Sequence, residues 1–249
     1  VLMATRIQMT AMPQMVALLN GFGGGASALV AWAALADVGG VTPTATFLVA
    51  TAVSGLVGGV TFSGSLIAFD KLQEFLLPGR PILLPAHQAI TGIVLAVGLA
   101  MTYWIVTGDA DTRLQSYTFL VVLSLAGGVV LTIPIGGADM PVAIALLNSY
   151  SGLAAAATGF VLDNNALIIT GSLVGASGII LTQIMCKAMN RSLANVLTGG
   201  GTAATRGAAA DDVYAGKVKS ASAEEIAMVL DGARRVVIVP GYGLAVSQA

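Results

Sequence analysis

The chain has 249 residues, of which 56% are hydrophobic and only 9% are charged, and its mean hydropathy is +0.89. Soluble domains carry about 25% charged residues, so this composition excludes a soluble globule and indicates a protein of the lipid bilayer. The net charge of −1 offers no basic surface to nucleic acid, and a single cysteine, Cys186, cannot form an internal disulfide.

Six apolar runs are long enough to cross about 30 Å of hydrocarbon as helices. Their predicted positions are 13–35, 45–69, 88–107, 117–135, 141–162 and 166–188. Because the number of crossings is even, both ends of the chain lie on one side of the membrane. That side carries most of the cations: Arg6, Lys71, Arg80, Lys187 and Arg191. The positive-inside rule then predicts that the termini lie in the cytoplasm, or in the matrix of a mitochondrion. The expected location of the chain is a bacterial inner membrane, with the mitochondrial inner membrane as the alternative.

Part of the first span recurs in the fifth. Segment 11–30, AMPQMVALLNGFGGGASALV, aligns without a gap with 139–158, DMPVAIALLNSYSGLAAAAT, which places Asn20 over Asn148. Four crossings separate the two copies, so both run in the same direction, as in transporters with parallel repeats. We therefore predict a parallel internal repeat. A chance match between two apolar helices is the alternative.

Four spans carry stripes of small and hydroxyl residues at helical spacing. The stripe of the second span is Thr51, Ser54, Gly58, Thr61 and Ser65. Lipid provides no hydrophobic drive between helices, so membrane helices commonly associate along such stripes. We expect the first, second, fifth and sixth spans to form one bundle. The third and fourth spans have broad Leu, Val and Ile faces and are expected to lie toward lipid.

Three polar side chains are predicted at one depth of this bundle. Asn20 and Asn148 each follow a proline by seven residues, which corresponds to roughly 10 Å of helix. Ser65 lies at a comparable depth in a span that runs the other way. Polar groups at membrane depth are functional candidates, and these three together could pass a proton along hydrogen bonds. The alternative is that they only form hydrogen bonds between helices.

Asp139 stands at the start of the fifth span, directly before Met140 and Pro141. Asp is a favoured N-cap and Pro suits the first helical turn, so capping alone would explain the carboxylate. Gly136 and Gly137 precede it and form a turn that faces the compartment where a soluble domain would dock. No metal site is predicted anywhere in the chain.

The composition changes after Arg191. Residues 1–191 are predicted to form the membrane domain, 192–221 a flexible linker, and 222–249 a short helix, a strand at 236–239 and a glycine turn. Gly241, Gly243 and Val246 then fit the G-x-G-x-x-V start of a dinucleotide-binding fold, in which glycines allow the backbone to approach a pyrophosphate. Because the chain starts at Val1 and stops at Ala249, inside this motif, we expect a fragment of a longer polypeptide that cannot bind the nucleotide itself.

Four motifs carry a family resemblance: GGADMPV at 136–142, LLNSYSG at 146–152, IMCKAMNRS at 184–192 and PGYGLAV at 240–246. In this order they resemble the β subunit of proton-translocating nicotinamide nucleotide transhydrogenase, and they cover most of the chain. The resemblance implies an all-α bundle of about six transmembrane helices, followed by a linker and the truncated start of a Rossmann-like NADP(H)-binding domain. It also implies that Asp139 takes part in coupling.

The chain departs from the family pattern at one position. Many members have a histidine in the first of these spans, within the segment that here reads MVALLNGF and contains Asn20. Asparagine does not titrate near neutral pH, whereas histidine does. By resemblance, the titratable group is expected from a small separate membrane subunit. The single histidine, His87, is interpreted as an interfacial loop residue.

The resemblance thus implies the membrane part of an enzyme complex that transfers hydride from NADH to NADP⁺ while protons cross the bundle. The proton path is predicted at Asn148, Ser65 and Asn20, and no catalytic residue is assigned because hydride transfer belongs to soluble domains. The resemblance implies α-type subunits, an NAD(H)-binding domain and a homodimeric complex as partners. A secondary transporter of small solutes with parallel repeats is the alternative, and a purely structural membrane anchor is a third hypothesis.

Overall fold

A computed structural model describes residues 11–39, 42–83, 86–199 and 223–237. The chain divides into two compact units, Val1–Thr202 and Ala203–Ala249, which are treated separately. All regular structure in the described ranges is helical.

The first unit contains six long helices: α1 (Met12–Ala36), α2 (Ala45–Gln73), α3 (His87–Thr107), α4 (Ala110–Thr132), α5 (Met140–Val161) and α6 (Asn165–Ala188). Each is long and apolar enough to cross a membrane. A 3₁₀ turn, Gly137–Asp139, precedes α5, and a short helix, α7 (Leu193–Leu197), follows α6. The six predicted spans are confirmed, and the chain is a multi-pass membrane protein.

The helix boundaries follow from local sequence. Helices α1 and α5 each begin with Met-Pro, and proline is tolerated there because the first N–H groups of a helix have no intrahelical acceptor. Side-chain oxygens of Thr44 and Asn164 accept hydrogen bonds from the first turns of α2 and α6. Helix α2 ends at Glu74, which takes a left-handed conformation with φ of 53°.

Helix α2 occupies the centre and packs against α1, α4 and α5. The expectation that the fourth span lies toward lipid holds for one face of α4, where Phe119 and Val122 are exposed, but its other face packs against α2. Tyr117 of α4 is fully buried and donates a hydrogen bond to the carbonyl of Ala28 at 2.7 Å, while Ser124 donates to the carbonyl of Gly55 at 3.3 Å. The apolar composition of α4 hid these contacts, which depend on a few small and polar residues. Helix α3 does lie at the periphery, with Tyr103 and Trp104 exposed.

Helix α6 packs chiefly against α5, so it joins the bundle through one neighbour. The contact runs along the predicted stripes. A Cβ atom on Gly152 would lie 2.8 Å from the carbonyl oxygen of Gly171, and one on Gly171 would lie 2.7 Å from that of Gly152. Glycine at both positions therefore lets the two backbones touch, as expected for closely packed membrane helices.

A hydrophobic cluster lies at the end of the bundle that includes Asp139, called here the Asp139 end. Its buried members are Ala17, Ala68, Ile135, Met140, Val142, Ala143, Ile144, Leu147, Cys186 and Val196. They come from α1, α2, α5, α6, α7 and the turn before α5. Helix α7, which lies within the predicted linker 192–221, therefore packs against this cluster.

The second unit is described at residues 223–237, where α8 (Ala223–Asp231) forms the predicted short helix. Val236 and Val237 belong to the predicted strand but have no regular structure. Residues 238 and 239 lie outside the described residues, as does the glycine turn with Gly241, Gly243 and Val246.

Candidate functional site

Asn20 lies on the buried face of α1 and is 6% exposed. Its side-chain amide donates a hydrogen bond to the carbonyl oxygen of Ile144 on α5, at 3.4 Å. Ile144 lies one helical turn before Asn148. The contact therefore brings Asn20 to the turn of α5 that ends at Asn148.

Ser65 faces the same level of the bundle from α2. A Cβ atom on Gly21, the neighbour of Asn20, would lie 3.2 Å from the Cβ atom of Ser65. Ser65 is fully buried, and its hydroxyl has no hydrogen-bond partner among the described residues. Buried hydroxyl groups are normally paired, so this one has unused capacity to donate and accept.

Asn148 is less enclosed than Asn20 and Ser65. It is partly exposed, and its side chain makes no hydrogen bond within the described ranges. The adjacent Ser149 is fully buried and donates to the carbonyl of Gly175 on α6 at 2.7 Å. The structure thus brings Asn20 and Ser65 to one level beside the turn leading to Asn148, without a direct hydrogen bond among the three.

A second polar layer lies nearer the N-terminal end of α2, around Ser54. The hydroxyls of Ser54 and Thr158 are 2.6 Å apart, and that of Ser54 is also 3.1 Å from the carbonyl of Ser27. Ser54 precedes Ser65 by 11 residues, which corresponds to roughly 16 Å of helix. The stripe along α2 identified Ser54 from the sequence, but nothing in the sequence indicated Thr158 as its partner.

Asp139 ends the 3₁₀ turn before α5 and is 4% exposed. Its side chain makes no capping hydrogen bond to α5, so capping does not explain its position. One carboxylate oxygen instead lies 3.6 Å from Nε of Arg191, which makes this an ion pair outside hydrogen-bond distance. The carboxylate is thus buried beside a cation.

Local backbone geometry places both partners of this pair. Helix α6 ends before Asn190, which has a φ of 52°, a conformation that asparagine tolerates, and the Arg191 N–H donates to the carbonyl of Cys186 at 2.8 Å. The chain therefore folds back and brings Arg191 to Asp139. On the other side, the Gly137 N–H donates to the carbonyl of Gly79 at 2.7 Å.

Lys71 is a buried residue that the sequence analysis assigned only to a membrane side. It is 1% exposed, and its ammonium group donates to the carbonyls of Ile133 at 2.6 Å and Ile135 at 2.8 Å. The sequence pattern that could have predicted its burial is the stripe of α2, which continues beyond Ser65 to Ala68 and Lys71 at three-residue spacing.

His87 is the first residue of α3 and is 8% exposed, so the prediction of a loop residue is wrong, while its interfacial position stays a prediction. Its Nδ1 atom has no hydrogen-bond partner among the described residues. The error arose because Pro85 and Ala86 marked a helix boundary in the sequence but did not show which groups would cover the first turn.

The nucleotide motif cannot be placed, because Gly241, Gly243 and Val246 lie outside the described residues. NADP(H) binding therefore stays a prediction from the motif.

Comparison with known proteins adds an independent finding. A family model described as NAD(P) transhydrogenase beta subunit matches residues 1–249. Two relatives named NAD(P) transhydrogenase subunit beta, from Rhodospirillum rubrum and a strain of that species, are each 45% identical over 257 aligned positions. The alignment covers 99% of this chain and 54% of each relative, so the chain spans about half the length of these relatives. The chain belongs to the NAD(P) transhydrogenase beta subunit family.

Proposed function

We propose that this chain forms the membrane part of a proton-translocating transhydrogenase, in which proton passage through the bundle is coupled to hydride transfer from NADH to NADP⁺. The observation that carries the proposal is the hydroxyl of Ser65, which is fully buried, packs against Gly21 next to Asn20, and has no hydrogen-bond partner among the described residues. An unpaired hydroxyl in an apolar surrounding is costly. Its retention at the contact of α1 and α2 is consistent with a transient partner such as water.

In this proposal, Asn20, Ser65 and Asn148 line the proton path. Asparagine and serine pass protons along hydrogen bonds but do not hold an extra proton near neutral pH, so the path needs a titratable group. A histidine from a small membrane subunit would supply it. The partial exposure of Asn148 supports this arrangement, because it leaves that side chain accessible to a helix from outside the chain.

Asp139 would communicate protonation to the nucleotide-binding domain. Proton occupancy can drive a docking change only if it stabilises one docked state over another. The buried pair of Asp139 and Arg191 supports the proposal, because Arg191 directly precedes the segment of α7 that leads out of the bundle. In the longer protein, Gly241, Gly243 and Val246 would begin a Rossmann-like domain for NADP(H).

The remaining assignments are part of the same proposal. The α1 and α5 helices would be copies in a parallel repeat, a relation supported by the Met-Pro start that both share. The membrane domain would cover 1–191 and the linker 192–221, with both termini cytoplasmic in a bacterial inner membrane. The partners would be α-type subunits, an NAD(H)-binding domain and a second copy of the complex.

Two other hypotheses have support from particular observations. A secondary transporter would use the polar layers as a solute site, which the Ser54 and Thr158 pair would suit. A structural anchor would need Asn and Ser only for hydrogen bonds between helices, a role that Ser149 performs at Gly175. The transporter hypothesis does not account for the G-x-G-x-x-V motif at Gly241, Gly243 and Val246.

Vesicle assays on the full complex separate these hypotheses. We expect NADH-to-NADP⁺ transhydrogenation to change the luminal pH and to respond to an uncoupler. Solute uptake without nucleotide would favour the transporter. Hydride transfer that is indifferent to uncoupler and leaves luminal pH unchanged would favour the anchor and contradict the proposal.

A further inference from the structure

Lys71 is a buried cation without an acidic partner among the described residues. Three carboxylates stand at the same end of the bundle: Glu74 is exposed, and Asp70 and Asp139 are engaged elsewhere. Asp70 accepts hydrogen bonds from the backbone N–H groups of Leu76 and Leu77 at 3.0 Å and 2.8 Å, and Asp139 pairs with Arg191. Burying an ammonium group costs free energy unless hydrogen bonds replace its water, so its partners need an explanation.

These partners are backbone carbonyls just beyond the end of α4. Ile133 is the C-cap of α4, and Ile135 lies two residues later in the connection to the 3₁₀ turn. The last carbonyls of a helix lack intrahelical donors and carry a partial negative charge, so a cation is stabilised there. Lys71 thus donates hydrogen bonds to the free carbonyls at the C-terminal end of α4 and connects that end to α2.

The connection held by Lys71 leads directly to Asp139. Ile135 is 2% exposed and belongs to the hydrophobic cluster of the Asp139 end, together with Val196 of α7. Gly199, with a φ of 65°, follows α7, and a Cβ atom there would lie 2.6 Å from the carbonyl oxygen of Pro134, between the two carbonyls that Lys71 binds. The same short connection therefore contacts Lys71 and Gly199 and continues into the turn of Asp139.

On the basis of the function proposed above, we propose that Lys71 is a positioning residue for coupling. By its hydrogen bonds, Lys71 would hold the connection 133–137 in the conformation that keeps Asp139 beside Arg191. It would also link that conformation to the position of α2. Ser65 and Lys71 are six residues apart on one helix, a distance of about 9 Å. A shift of α2 at the level of Ser65 therefore reaches the turn of Asp139 through a rigid helix and two short hydrogen bonds.

The test uses the full complex in vesicles and compares Lys71→Met, Lys71→Arg and Arg80→Met. Methionine fills the space of the lysine stem but cannot donate to the carbonyls, whereas arginine keeps the charge and the donors. Arg80 is an exposed cation in the neighbouring loop and serves as the matched control. The measured quantity is the number of protons moved per hydride transferred, together with the stimulation of NADP⁺ reduction by an imposed proton gradient.

We expect Lys71→Met to lower the stimulation of NADP⁺ reduction by the proton gradient about 10-fold, which lies within the size of typical allosteric coupling. The same variant should lower the number of protons moved per hydride. Lys71→Arg should restore much of both, and Arg80→Met should match the unmodified complex. A purely structural role would reduce the amount of assembled complex without changing the ratio. An unchanged ratio in Lys71→Met would overturn the proposal.

A second measurement covers the case in which Lys71→Met fails to assemble. Ala138 is exposed in the 3₁₀ turn, so a cysteine introduced there reports the mobility of the turn through its rate of maleimide labelling. In Lys71→Gln, which removes the charge but keeps an amide NH₂ donor group on a shorter side chain, labelling of Ala138→Cys should be faster than in the unmodified background. Equal labelling would contradict the proposed positioning. If the unmodified complex itself moves no protons, the proposed function fails, independently of Lys71.

Discussion

Two buried serines of the bundle differ in their hydrogen bonding. Ser149 on α5 donates a 2.7 Å hydrogen bond to the carbonyl of Gly175 on α6, whereas the hydroxyl of Ser65 on α2 has no partner among the described residues. Both side chains are fully buried. Removing a paired hydroxyl loses a hydrogen bond between helices, while removing an unpaired one relieves a cost.

We therefore predict opposite outcomes for Ser65→Ala and Ser149→Ala. Ser149→Ala should lower the thermal midpoint of the detergent-solubilised complex, in line with a loss of about 0.6 kcal/mol or more. Ser65→Ala should leave the midpoint unchanged or raise it, yet reduce proton-driven transhydrogenation. Differential scanning fluorimetry and the vesicle assay measure the two effects. Loss of stability in Ser65→Ala with intact coupling would assign that hydroxyl to packing.

The ion pair of Asp139 and Arg191 gives a second prediction at this scale. Asp139 is 4% exposed, so Arg191→Gln would leave a buried carboxylate without its neighbouring cation. We expect this single change to lower the thermal midpoint more than the double change Arg191→Gln with Asp139→Asn, because the double variant buries no unpaired charge. Additive losses in this double-mutant cycle would show that the two side chains do not interact.

At the scale of elements, the contact of α5 and α6 depends on glycine. A Cβ atom on Gly178 would lie 2.7 Å from the backbone nitrogen of Ser149, whereas one on Gly92 in α3 meets nothing within 4 Å. We predict that Gly178→Ala pushes α6 from α5 and lowers the thermal midpoint. Gly92→Ala should be neutral or stabilising, since alanine favours helix by up to about 1 kcal/mol over glycine. Equal midpoints for the two variants would refute the close contact.

The docking of α4 on α2 also rests on few groups. The ring of Tyr117 lies against Gly55, and its hydroxyl bonds to the carbonyl of Ala28 on α1. Tyr117→Phe keeps the ring and removes only the hydrogen bond, so we expect a loss of about 1 kcal/mol in stability and unchanged coupling. Thermal unfolding in detergent and the vesicle assay check both parts. A loss of coupling at full stability would place Tyr117 in the proton path.

For the whole molecule, the six spans could be predicted because their signal is local. A run of some 20 apolar residues identifies a membrane helix without knowledge of its neighbours. The stripe of α2 likewise predicted burial, and Ser54, Thr61 and Ser65 are indeed fully buried. The resemblance to the transhydrogenase family is confirmed by the match of the family model to residues 1–249.

The features that the sequence did not reveal are contacts between distant segments. The packing of α4 against α1 and α2 depends on Tyr117 and Ser124, two polar residues in an apolar helix. The high hydropathy of the helix as a whole led to the prediction that it faces lipid. The sequence indicated Lys71 only as a cation at a membrane edge. Its burial could not be predicted because its ammonium group binds a carbonyl 62 residues later in the chain. Long side chains such as lysine can lie along apolar surface, so composition alone does not show where their charge ends.

The central claim is that protons cross the bundle at the level of Asn20, Ser65 and Asn148. The most direct test is the proton-to-hydride ratio of the full complex with Asn148→Leu in vesicles, with Asn165→Leu, at an exposed position, as the control. We predict that Asn148→Leu loses proton-coupled turnover while hydride exchange confined to the isolated soluble domains continues, and that Asn165→Leu behaves as the unmodified complex. Equal proton pumping by Asn148→Leu would remove Asn148 from the path and contradict the account.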